Sequence, residues 1–164
     1  MHDVLTGVSE ALLALLSQLQ AFGQLPVLEA AAAQARTVAA NMLVLFRHEM
    51  FEHHAHEELD VFPVVLRRAA AGEELNRVGA MVKRLTADHR HIEALWHQLE
   101  PTVKAIAKGR LTHVAREDVD ALVQAYRAHA VFEEQQFLPL AELVLGRHRE
   151  DMAALTLHGG TNAG

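Results

Sequence analysis

Two stretches of this chain carry the same residue types at the same spacing. One reads His53-His54-Ala55-His56-Glu57-Glu58-Leu59-Asp60-Val61-Phe62-Pro63; the other reads His129-Ala130-Val131-Phe132-Glu133-Glu134-Gln135-Gln136-Phe137-Leu138-Pro139. Each opens on histidine, carries a Glu-Glu pair at its fifth and sixth positions and closes on proline at its eleventh. On a helix, positions i and i+4 lie about 40° apart around the axis and about 6 Å along it, so both side chains point the same way. His53 with Glu57, and His129 with Glu133, are then two preformed imidazole–carboxylate pairs. Met50 and Asp60 share the face of the first pair, Tyr126 and Gln136 that of the second. A fifth group, His89, interrupts the apolar stripe Val82, Leu85, Ile92 and Trp96 and so faces a core. Turning such groups inward costs on the order of several kcal/mol for each one left ionised and unpaired. A metal cation removes that cost. Neutral imidazoles and carboxylates without a thiolate suit iron or manganese, with zinc also open.

Helices must hold these groups in place. Glycine and proline are sparse (9 and 4 residues), and no stretch alternates polar and apolar residues between turn signals. Helix 1 is expected from about Val4 to Phe22, where Leu5, Leu12, Leu13, Leu16 and Leu19 recur at core-facing spacing. Pro26 suits the opening of helix 2, which runs from about Val27 to Ala71 with a kink or break at Pro63 and a stop at Gly72. Helix 3 spans about Glu74 to Lys108, and Thr112 is the expected N-cap of helix 4, which reaches Gly146. A weaker helical piece follows from Arg147 to Leu157. Helices 1 and 3 also match, Ala14-Leu15-Leu16-Ser17-Gln18-Leu19 over Ala94-Leu95-Trp96-His97-Gln98-Leu99. The chain reads as two helical hairpins joined by short connections: an all-α, up-down-up-down four-helix bundle with a short extra C-terminal helix. A single domain over 1–158 and a flexible tail over 159–164 are expected.

Composition removes most other chemistries. The 164 residues hold 15 Lys+Arg against 21 Asp+Glu, a net charge of −6, and no basic stripe, so no nucleic-acid partner is expected. With no cysteine, disulfides, thiolate-bound zinc, iron–sulfur clusters and a thiol nucleophile are all excluded. No apolar run is long enough to cross a membrane, and Met1-His2-Asp3 has no basic leader, so a cytoplasmic protein is expected. Twelve histidines remain to be explained. His2, His48, His97, His113, His148 and His158 are expected in solvent or at helix ends, and His91 opposite His89.

With these motifs in place, the sequence resembles the haemerythrin-like, or HHE cation-binding, domain family. The likeness rests on HHAHEELDVFP, on Ala87-Asp88-His89-Arg90-His91-Ile92-Glu93 and on HAVFEEQQFLP, and it extends over about residues 3 to 146. It implies a helical bundle around a non-haem di-iron centre that binds oxygen or a related small ligand. Residue by residue, it places His53 and Glu57 in the second-helix motif, His89 as the third-helix histidine, and His129 and Glu133 in the fourth-helix motif. The family's helix 1 histidine falls on Ser9, which offers no imidazole. His54 and His56 each flank the His53/Glu57 face by about 80°, and either can lean in; some family members use the residue after the helix 2 histidine, which favours His54. Three readings follow: a metalloprotein binding oxygen, nitric oxide or iron itself; a di-iron enzyme acting on peroxide or nitric oxide; and a structural bundle with a depleted site.

Overall fold

The computed structural model describes residues 21, 23–110 and 112–147. The expected helix 1 with Ser9 and His2, nearly all of the extra C-terminal helix, and the tail lie outside the described residues. What is described is helical, with no strand among the described residues. Three rods follow one another. The first joins α1 (Leu25–Val44), a wide turn (Leu45–Met50), α2 (Phe51–His56), a second wide turn (Glu57–Val61) and α3 (Phe62–Arg68). The second rod is α4 (Glu73–Ala107). The third joins α5 (Arg116–Phe132), a wide turn (Glu133–Phe137) and α6 (Leu138–Gly146).

An opened turn precedes each repeat proline, including Pro63, where the sequence predicts a kink or break. Proline lacks an N–H and cannot close the usual bond to the carbonyl four residues back. In both repeats the helix opens by one residue just before it. The Phe62 N–H donates to the Glu57 carbonyl, five residues back, and the Leu138 N–H donates in the same way to the Glu133 carbonyl. Each rod thus passes through its proline without breaking. The first rod begins at Leu25 with Pro26 in its first turn and stops at Arg68, where Ala69 turns extended (φ −63°, ψ 137°). Gly72 is therefore not its stop. It precedes α4 at φ 99°, a left-handed conformation that glycine adopts without strain. Thr112 is not a cap either: α5 starts after Ala115 with no side-chain cap, and acidic Glu117 and Asp118 favour its positive end instead.

The rods alternate in direction, and their inward faces form two apolar clusters with a polar layer between them. Phe62, Val65, Val78, Leu85, Phe137 and Val144 seal one end, where the Phe62 and Phe137 rings meet edge to face at 5.2 Å. The same end is tied at its rim, since the Arg147 guanidinium donates to the Glu74 carboxylate at 2.6 Å. Phe46, Met50, Ile92, Trp96, Leu99 and Leu122 make the other cluster, with Phe46 stacked flat on Trp96 at 4.0 Å. This second cluster is flanked by two apolar grooves of about 660 and 580 Å³ that lie along the first and third rods.

Candidate metal centre

All six residues singled out in the sequence converge on the layer between the clusters. His53, His54 and Glu57 come from the first rod, His89 from α4, and His129 and Glu133 from the third rod. They form two groups. Donor atoms of His54, His89 and His129 lie within 4.8 Å of one another, as do those of His53, Glu57 and Glu133. The first group is buried, at 1%, 0% and 2% exposure. The second is open on one side, because the His53 side chain is 47% exposed. Glu57 and Glu133 stand between the groups. Glu57 Oε2 is 3.1 Å from His89 Nε2 and 3.7 Å from His53 Nε2. Glu133 Oε2 is 3.6 Å from His129 Nε2 and 3.9 Å from His53 Nε2.

An outer layer fixes two of the imidazoles. The His89 Nδ1–H donates to Glu58 Oε1 at 2.8 Å, and the His54 Nδ1–H donates to Glu93 Oε1 at 3.1 Å. Both carboxylates also accept from the Arg90 guanidinium, at 2.7 Å for Glu93. An ionised carboxylate can only accept, so each ring carries a proton on Nδ1 and turns its Nε2 inward. The His54 and His89 rings lie flat against each other at 3.8 Å, with His129 edge-on to His89 at 4.8 Å.

Electrostatics bear out the strain of this arrangement. Burial pushes His54 down to about 4, assisted by the charges of His89 and His129 and opposed by Glu93. Burial likewise lowers His129, with His89 adding to it. On His89 burial also disfavours charge, but Glu57 and Glu58 outweigh it and raise the ring above its ordinary value. The Glu133 carboxylate raises His53 against a smaller effect of burial. Glu57 is pushed up by burial foremost and by neighbouring Glu133, whereas Glu133 is held down by His53 and Glu57 despite its burial.

These donors fit a cation. His54 Nε2, Glu57 Oε2, His89 Nε2 and both ring nitrogens of His129 are buried without a hydrogen-bond partner among the described residues. His89 Nε2 lies 3.1 Å from a carboxylate oxygen of Glu57, and the raised pKa of His89 fits a proton shared there when no metal is bound. Orphaned buried polar atoms are otherwise rare and costly. Residues 2–141 match the family model of the hemerythrin HHE cation binding domain.

The chain belongs to the haemerythrin HHE cation-binding family.

The match begins at residue 2, so it takes in the segment ahead of the first described rod. Neither curated proteins nor solved structures offer a match. Of His54 and His56, either of which can lean in, it is His54 that faces the layer of this haemerythrin-like domain. His56 turns outward and pairs with Asp60 at 3.0 Å. Asp60 and Gln136, expected on the site faces, are exposed, because the wide turns rotate them away. Met50 is buried, and Tyr126 stands 6.3 Å from His129, ring to ring, on the wall of the larger groove with His53. His48, His91, His97 and His113 are exposed, as expected. Sequence reasoning missed Glu58, Glu93 and Arg90. The signal was present in part: His54 and Glu58, and His89 and Glu93, are both i,i+4 pairs, but the structure exchanges the partners between helices. No helix among the described residues is long and apolar enough to cross a membrane.

Proposed function

We propose that this haemerythrin-like domain holds a non-haem di-iron centre that binds oxygen, nitric oxide or a related small ligand, or serves to hold iron itself. The observation that carries the reading is the layer of five buried, unpartnered donor atoms, with His89 Nε2 3.1 Å from Glu57 Oε2. His54, His89 and His129 would hold one ion, and His53, Glu57 and Glu133 the other, with the two carboxylates within reach of both. Iron supplies redox-active, open coordination positions for a small ligand; manganese and zinc suit parts of the same donor set. The protein's own share is to aim imidazole lone pairs, to concentrate two carboxylates, and to exclude bulk water with Phe62 and Phe137 beneath the layer. A depleted structural bundle would have little reason to keep two imidazoles held by dedicated carboxylates.

The same reading completes the bundle. The grooves along the first and third rods are walled by Val38, Met42, Leu45, Leu122 and Val123, and nothing among the described residues covers them. The segment from Val4 to Phe22 offers a leucine stripe of matching character. We assign it as the fourth helix of the up-down-up-down bundle, lying in these grooves. Ser9 then brings no imidazole to the exposed side of the centre. An enzymatic reading, turnover of peroxide or nitric oxide, draws on Tyr126 beside His53 in the larger groove.

Elemental analysis of iron-loaded, chelator-free protein tests the proposal. One to two ions per chain are expected, with fewer in His129→Ala. Exposure of the reduced protein to oxygen or nitric oxide should produce a new absorption band. A loaded wild type without metal, whose melting temperature ignores chelator, would overturn the reading, because a cation bound to the folded state alone must stabilise it.

A further inference from the structure

The two donor groups differ in more than composition. Imidazoles alone make up the inner group, which is closed to solvent, and two of its three rings are locked by the outer layer of Glu58, Glu93 and Arg90. The outer group has one imidazole, and His53 is half exposed, near the carboxylates of its own group at 3.7 and 3.9 Å and in a tilted ring contact with His54 at 6.2 Å among the described residues. Binding there must order an exposed side chain and bring together two carboxylates that repel each other. Binding at the inner group costs little reorganisation, because the donor atoms already converge. Donor type adds to the difference: three imidazoles suit zinc, cobalt and ferrous iron, whereas a carboxylate-rich set suits harder cations.

Resting on the metal-binding reading above, we propose that the two positions are unequal and fill in order. The three-imidazole position takes a divalent cation first and holds it, and the carboxylate position fills second and exchanges. Arg90 is the positioning residue that makes the difference. It touches no donor atom, but its fork holds both carboxylates that orient His54 and His89. Lysine, a point charge, cannot grip both carboxylates in that planar geometry. Arg90 is 57% exposed, so its replacement leaves the core untouched.

Titration of the metal-free, full-length protein with Co2+ without oxygen tests this, with the visible cobalt bands reporting the donor set. The wild type should bind in two phases, the first with a nitrogen-rich spectrum. Arg90→Ala should weaken the first phase by about 10- to 100-fold, the usual loss for a partner that orients a ligand. Arg90→Lys should recover only part of that loss, and Glu133→Gln should weaken the second phase far more than the first. Glu93→Gln provides the same test of the first phase should Arg90→Ala fail to fold. Two equivalents binding in a single phase, or an Arg90→Ala effect confined to the second phase or absent, would overturn the ordering while leaving metal binding intact. Failure of Co2+, Zn2+ and Fe2+ to bind at all would remove both this inference and the metal-binding reading.

Discussion

On either side of the histidine layer the same three rods pack to different completeness. Toward Phe62 and Phe137 they close on one another, and Val65, Val78, Leu85 and Val144 are cut off from solvent entirely. Toward Phe46 and Trp96 the first and third rods leave grooves between them, and Val38, Leu45 and Val123 are left substantially exposed. Apolar side chains exposed side by side in a groove mark a surface that something covers. Three helices suffice where the rods converge past their prolines. Where they diverge, the proposed fourth helix would supply the missing wall, and the candidate metal centre lies at the boundary between the two regimes. That placement gives the centre a dry floor and one accessible flank, the flank on which His53 stands.

The comparison breaks most visibly at the open end. If the Leu12 and Leu16 stripe lies in the grooves, Leu12→Asp with Leu16→Asp buries two charges, and the expected loss exceeds about 4 kcal/mol. Denaturant melts and dye binding to exposed apolar surface would show it; a double variant as stable as the wild type would leave the grooves to another occupant. At the sealed end, Leu85→Ala should cost about 3 to 4 kcal/mol through lost burial and the cavity left behind. For a chain of this size that is roughly a 6–16 °C fall in melting temperature. A loss under about 1 kcal/mol would mean that this end is looser than its packing indicates.

The layer itself gives a smaller effect that depends on pH. In metal-free protein His54 is held near pKa 4, whereas an unfolded imidazole titrates at 6.5. Between those values the unfolded chain binds a proton that the folded chain refuses. The His54 contribution to stability therefore falls as pH drops from 6.5 toward 4, by up to about 3 kcal/mol. His54→Leu lacks this penalty, so the stability gap between wild type and variant should shift in the variant's favour across that window, in melts run with chelator. A gap that stays constant with pH would show His54 to be as easily protonated folded as unfolded.

Much of the centre was legible because its logic is local. A histidine and a glutamate four residues apart declare their common face whatever surrounds them, and repetition with the same downstream proline identified the two rods that carry them. His89 could be placed because it interrupts an apolar stripe. The outer layer was harder to read because it is not local: spacing on one helix pairs His54 with Glu58 and His89 with Glu93, but packing of the first rod on α4 exchanges them. The wide turns were hidden for a related reason. A proline announces a missing N–H, but whether the helix breaks, bends or opens by one residue depends on the cores on either side of it. Thr112 failed as a cap because α5 starts four residues later, at Arg116, after the extended Ala115.

The wide turns also decide where the molecule can shift in phase. An i→i−5 turn holds one residue more than a regular turn, and rewinding it would swing everything beyond by about 100°. At Glu57–Val61 and Glu133–Phe137 that rewinding is disfavoured, since the ring of Pro63 or Pro139 would press on the carbonyl four residues back. The proline rings thus favour the present angular setting between the donor atoms and the sealed end. The turn at Leu45–Met50, where the Phe51 N–H reaches the Phe46 carbonyl, is followed by Phe51 and Glu52 and has no such restraint. Rotational play in the first rod is therefore one-sided: it belongs to the stretch beside the open grooves, upstream of every donor.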